Sequence, residues 1–247
     1  MSNVSVLSIR RGGAAQQLIR TRGLNSLRPV VVGQLAAECS KPGTGDSTRY
    51  PPWSLPVSTA TRGGAGNHGM RPINLYNPGP VACRPYDPRA PLVASRLREM
   101  IRGRAPAVEV EHVGSTSVPG CEGKGYIDLL VLYPEGALEA AKDALAALGF
   151  QPQTSRDPFP EERPMRVGSF TFDGREYPIH AHVVYRDSAE AVELIWFRER
   201  LRSDARLREQ YVAEKRRILA AGVTDQLDYC VSKGAFVERT LAARESA

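Results

Sequence analysis

The chain has 247 residues, 42% hydrophobic and 24% charged, which is enough apolar material for one ordinary globular core. Its formal charge of +6 resides entirely in residues 1–70, where eight Lys and Arg face only Glu38 and Asp46, while the remainder carries 25 basic and 25 acidic residues. A neutral body argues against nucleic acid as its partner, and no run approaches the roughly 18–20 consecutive apolar residues of a membrane span, so a soluble protein without membrane contact is expected. The four cysteines, Cys39, Cys83, Cys121 and Cys230, form no CxxC pair, which suits a reducing, cytoplasmic setting.

Residues 1–70 are rich in Arg, Ser, Thr, Gly and Pro. They bury too little apolar surface to offset chain entropy and are expected to form a disordered tail ahead of a domain at 71–247. Arg10, Arg11, Arg20 and Arg22, set among Val4, Leu7, Ile9, Leu18 and Ile19, suit a basic amphipathic targeting helix, which would make the protein mitochondrial. A solvated tail with no address is the competing expectation.

The body reads element by element. "YDPRAPLVASRLREMIRG" predicts a helix capped by Asp87, with Pro88 in its first turn, Gly103 at its end and Leu92, Leu97, Met100 and Ile101 on its apolar side. "AVEVEHV", 107–113, alternates as a strand does, and "YIDLLVLY", 126–133, resembles a strand covered on both faces. After Pro134, Leu138, Ala141, Leu145 and Leu148 recur at helical spacing, and Gly149 closes the helix. A loop through Pro158, Pro160 and Pro164 leads to two strands, "VGSFTF" and "YPIHAHVVY", joined at Asp173-Gly174, a hairpin signal. Three helices follow: "SAEAVELIWFRERL", a second capped by Ser203 or Asp204, and a third from about Asp225. Helices and strands in this order predict an α+β domain, a mixed sheet with helices packed on it.

The chemistry concentrates around "EHVGSTSVPG". A turn of Gly114, Ser115, Thr116 and Ser117 after a strand offers N–H groups and hydroxyls for phosphate oxygens, though it lacks the Gly-Lys-Ser/Thr close of a P-loop. Asp128, at the start of the next strand, is then either a metal ligand beside a phosphate cradle or a capping charge at a strand end. His180 and His182 share one strand face and offer a second pair of ligands, which would favour Mn²⁺, Fe²⁺ or Zn²⁺ over Mg²⁺. Lys124, Arg198, Arg202, Lys215 and Lys233 are candidate phosphate partners, with a solvated helix face as the alternative. His112 or Glu111 could reach the site, but a satisfied turn histidine and a cross-strand salt bridge for Glu111 are the expectations.

"YDPRAP", "VEHVGSTSVPG", "GKGYIDLLV", "IHAHVV", "FRERLR", "YVAEKRRI" and "YCVSKGAFVERTL" occur in the order seen in the GrpB family, and the chain resembles that family from about Ile73 to Arg244. The resemblance implies a nucleotidyltransferase-like fold, a short mixed β-sheet with packed helices. It matches Gly114 and Ser115 to the phosphate loop and Asp128 to the first carboxylate of the acid-x-acid metal motif, with Arg198 and Lys233 where the match is densest. The chain departs from the pattern twice: Leu130 stands at the second acid, and Lys124 precedes Gly125 rather than a proline.

These residues predict a metal-dependent, nucleotidyltransferase-like protein. Gly114, Ser115, Thr116, Ser117, Lys124, Arg198 and Lys233 would bind a nucleoside triphosphate; Asp128, His180 and His182 would hold Mg²⁺ or Mn²⁺; Asp128 and His182 would be catalytic; the acceptor is open. A non-catalytic nucleotide or phosphometabolite binding module is the alternative, which Leu130 favours. A histidine-triad site lacks its third histidine at Val184, and a Cys121–His112 hydrolase lacks an orienting third group.

Overall fold

The computed structural model describes residues 71–245. The expected tail and targeting helix at 1–70 lie outside the described residues. The elements run α1 (Ala90–Arg104), β1 (Glu109–Val113), a single 3-10 turn (Ser115–Ser117), β2 (Ile127–Tyr133), α2 (Leu138–Leu148), β3 (Gln151–Pro152), β4 (Met165–Phe172), β5 (Arg175–Tyr185), α3 (Ala189–Ser203), α4 (Ala205–Ala220) and α5 (Gln226–Glu245). The five strands form one mixed sheet in the order β1-β2-β5-β4-β3, in which only β2 and β5 pair in parallel. The architecture is α+β, as the element order predicted. Among the described residues, no helix is long and apolar enough to cross a membrane.

Strand alternation divides the sheet into two unlike faces. Ile127, Leu129 and Val131 of β2 and Ile179, Ala181 and Val183 of β5 point to one side, where α1 and α2 cover them with Val93, Leu97, Ile101, Leu145 and Leu148. The intervening residues, Asp128, Leu130 and Leu132 with His180, His182 and Val184, share the other side. There α3 closes over Val113, Leu130, Leu132 and Val184 through Ala191 and Leu194, and a third apolar group binds α3, α4 and α5 together through Phe197, Leu201, Tyr211 and Val237.

Several boundaries move from their expected places. Helix α1 starts at Ala90, and Asp87 stands ahead of it, accepting from the Arg89 N–H, the Tyr177 hydroxyl and the Arg175 guanidinium. Gly103 lies inside its last turn, which closes one residue later. Leu92, expected on its apolar side, is 59% exposed, whereas Val93 is fully buried; the 3.6-residue period carries Val93, Leu97 and Ile101 inward and leaves Leu92 on the flank. The loop after Phe150 contributes a short edge strand, β3, which the prolines concealed.

Turn chemistry held more closely to the sequence. The hairpin tip has positive φ at both Asp173 (48°) and Gly174 (70°), the geometry of a two-residue primed turn. Gly149 ends α2 in the left-handed region, where an added Cβ would lie 2.5 Å from the Ile73 carbonyl oxygen. Asp204, of the two candidates, caps α4 by accepting from the Leu207 N–H.

Candidate functional site

Parallel pairing of β2 with β5 sets Asp128 beside His180 and Leu130 beside His182. One carboxylate and two imidazoles thus meet on the sheet face that α3 leaves open. Ligating atoms of Asp128, His180 and His182 all lie within 4.8 Å of one another, and Asp128 Oδ1 is 3.4 Å from His180 Nδ1. The turn after β1 supports this arrangement from below: Gly114 has φ 71°, and a Cβ there would fall 2.2 Å from Asp128 Oδ2. Only glycine lets the backbone approach the carboxylate so closely.

The electrostatics follow from burial and neighbours. Burial alone would raise the Asp128 carboxyl, but the His180 hydrogen bond, the positive charge of Lys233 and the other imidazole hold it at about 2. Burial lowers His180, against the pull of Asp128. It lowers His182 to about 3, with Arg163 adding to the effect. Both rings are therefore neutral near pH 7, and each carries one lone pair and one N–H. The Tyr76 hydroxyl lies 2.8 Å from His180 Nε2, which orients the ring so that Nδ1 faces Asp128. His182 Nδ1 is buried with no hydrogen-bond partner among the described residues, an arrangement that costs free energy unless a ligand completes it. The donor set fits a divalent cation, and two imidazoles suit Mn²⁺ or Zn²⁺ better than Mg²⁺.

These groups line a cavity of about 580 Å³, whose walls also carry Gly114, Lys124, Phe159, Arg163, Glu190, Arg198 and Lys233. The cations outnumber the acids on those walls, so the pocket favours an anionic guest. The ammonium of Lys233 forms no hydrogen bond or ion pair among the described residues and stands 5.8 Å from the Tyr229 ring centre. Lys124 reaches the same ring at 5.7 Å and donates to Gln226.

Other residues singled out in the sequence have structural work. The Ser115 hydroxyl accepts from Lys215 Nζ at 2.9 Å, the Thr116 hydroxyl donates to the Tyr126 carbonyl at 2.7 Å, and the Ser117 hydroxyl donates to the Gly114 carbonyl at 2.7 Å. All three hydroxyls hold the turn, and the pocket wall receives Gly114 alone from it. His112 Nε2 lies 3.0 Å from the Thr116 hydroxyl. Lys215 is 1% exposed and also binds the Glu122 carbonyl and the Cys121 thiol. Arg202 donates twice to the Ser117 carbonyl. Arg198 reaches the cavity wall but spends its Nη1 on Glu111, at 2.6 Å, and on the His112 carbonyl. Glu111 is therefore salt-bridged to a helix rather than across strands.

Sequence inspection missed Tyr76, Phe159, Arg163 and Glu190. Tyr76 comes from the segment ahead of α1, held by the Asn74–Ser169 bridge. Phe159 and Arg163 come from the proline-rich loop, where Phe159 meets the edge of His182 at 5.7 Å and Arg163 pairs with Glu190. The run Pro-Phe-Pro-Glu-Glu-Arg-Pro was the one available signal, an aromatic and an arginine stiffened by prolines.

An α+β domain with an acidic and imidazole cluster beside a glycine turn is what the fold and site define. Residues 80–243 match the GrpB protein family, and the chain belongs to it. A UPF0157 protein of Streptomyces coelicolor is 33% identical over 150 residues, 60% of this chain and 75% of that one. The crystal structure of the conserved protein GrpB from Enterococcus faecalis shares the fold at a TM-score of 0.51 and 19% identity, covering 67% of this chain and 100% of that one. A looser likeness, TM-score 0.38 at 18% identity over 53% of this chain and 41% of the other, is found to Cid1 in complex with its short product ApU. It is too slight to bear on function.

Proposed function

We propose that this domain binds a divalent cation at Asp128, His180 and His182 and, beside it, the phosphates of a nucleotide, and that it transfers a nucleotidyl group. The observation that carries this is the convergence of the three ligating groups in a cavity walled by Lys124 and Lys233. A bound cation would neutralise phosphate charge. The chain's own residues supply the remainder: Gly114 admits a close approach at the turn, the two ammonium groups balance the phosphate oxygens, and Tyr76 fixes the His180 ring.

Thermal unfolding with nucleoside triphosphates, with and without Mn²⁺, tests it. A nucleotide at a hundred times its Kd adds about 2.7 kcal/mol, and the proposal requires most of this to depend on the metal and to vanish in Asp128→Asn. Equal stabilisation without metal, unaffected by that substitution, refutes the cation site.

A second possibility is a binding module without catalysis. Leu130 supports it: where a second carboxylate would stand, the side chain is fully buried among Val113, Leu132 and Val184. Transfer of a labelled α-phosphate to any acceptor separates the two.

A further inference from the structure

An unbroken series of ring contacts runs along the cavity. Lys124 Nζ stands 4.6 Å from the Tyr126 ring, Tyr126 lies 5.0 Å from His180, His180 6.4 Å from His182, His182 5.7 Å from Phe159, and the Arg163 guanidinium 4.3 Å from Phe159. The two imidazoles occupy the middle, and a cation stands at each end. Lys233 joins Lys124 at the first end, across the Tyr229 ring. Arg163, paired with Glu190, stands at the second.

Arg163 is placed unusually for a structural arginine. Its side chain is only 18% exposed, and one edge of its guanidinium is held by Glu190. Its other nitrogen, Nη1, is buried and has no hydrogen-bond partner among the described residues. An unsatisfied buried donor is costly, and a planar fork with one edge anchored is prepared to receive an anionic oxygen on the other.

In-line transfer at phosphorus places the entering and leaving oxygens on opposite sides. With the leaving phosphates drawn towards Lys124 and Lys233, the acceptor enters from the side of His182, Phe159 and Arg163. We infer that Arg163 is an acceptor-binding residue and that the acceptor is a small hydroxyl-bearing acid, whose carboxylate or phosphate group rests on the free edge of the guanidinium. This rests on the nucleotidyl-transfer reading above. In the reaction it implies, the acceptor hydroxyl oxygen forms a bond to the α-phosphorus of the nucleotide and the bond from that phosphorus to the bridging oxygen breaks. Pyrophosphate leaves with the electron pair, and the hydroxyl proton passes to water.

The test uses the full chain with saturating Mn²⁺ and a non-hydrolysable nucleoside triphosphate analogue, and follows binding of labelled inorganic phosphate and labelled acetate by equilibrium dialysis. The proposal expects at least one of these anions to bind with the analogue in place, which anion binds showing which acid group the subsite prefers. Removing both members of the buried pair, in Arg163→Gln with Glu190→Gln, avoids stranding a charge; it should weaken that binding at least tenfold while leaving Mn²⁺ and analogue affinity unchanged. Glu190→Gln alone frees the guanidinium and should tighten it several-fold, which a purely structural pair would not do. Binding of neither anion to the wild-type ternary complex, or equal binding in the double variant, overturns the proposal. Failure of Mn²⁺ or of the analogue to bind at all is a different outcome and removes the nucleotidyl-transfer reading itself.

Discussion

The two faces of strands β2 and β5 come from the same residues, taken alternately, yet they do opposite work. On one, Ile127, Leu129, Val131, Ile179, Ala181 and Val183 are sealed by α1 and α2. On the other, Asp128, His180 and His182 border a cavity, and only Leu130, Leu132 and Val184 pack. The first face gains from shape and apolar area; the second keeps partly buried polar groups whose satisfaction is incomplete. The packed core and the candidate site are thereby separated by a single residue step along the strand.

Three perturbations would break or sharpen this contrast. The largest effect should come from Leu130→Asp, which sets a carboxylate at the motif's second acid position. Because Leu130 packs among Val113, Leu132 and Val184, an uncompensated charge there should cost about 4 kcal/mol, seen as a lower denaturant midpoint, with no gain in cation affinity. A stable variant that binds a second cation would show that the apolar patch is not the reason the acid is absent.

Gly114→Ala should be intermediate. The positive φ and the clash with Asp128 Oδ2 should cost about 1–3 kcal/mol and lower Mn²⁺ affinity at least tenfold, because the carboxylate must yield. Titration by calorimetry beside an unfolding curve separates the two effects; unchanged Mn²⁺ affinity would mean that the turn and the carboxylate act independently.

The smallest effect belongs to acid. Burial lowers His112 from 6.5 to about 4, so between those values the unfolded chain holds a proton that the folded chain refuses. Stability therefore rises with pH across that window and is lost as pH falls from 6.5 towards 4, by about 2 kcal/mol for this residue once the pH has fallen to about 5. His112→Gln should flatten that part of the stability curve measured by denaturant titration, and an unaltered slope would show that His112 titrates normally.

What could be read beforehand divides along physical lines. Local signals were reliable: Asp173-Gly174 demanded a primed turn, Gly149 a left-handed stop, and the strand alternation put His180 and His182 on one side, while the register that brings Asp128 to them is a long-range pairing. The hydroxyls of Ser115, Thr116 and Ser117 misled, because a polar side chain in a turn can serve the ligand or the turn itself, and spacing does not distinguish the two. Here Lys215, the Tyr126 carbonyl and the Gly114 carbonyl claim them. Arg198 was placed at the cavity, but its link to Glu111, 87 positions away, is a contact no local pattern reports. Tyr76 and Arg163 were overlooked for the same reason: each arrives on an irregular segment whose path depends on the finished sheet.

That irregular stretch at 73–77 has a practical bearing on where the folding unit starts. The Ile73 N–H bonds to the Leu148 carbonyl, Asn74 exchanges bonds with Ser169, and Ile73 fills the space left by the missing side chain of Gly168. A shortened protein beginning at residue 80, where the family match starts, would expose the flank of β4 and take away the phenol that steadies His180, so it should be both less soluble and poorer at holding ions than one beginning at residue 71.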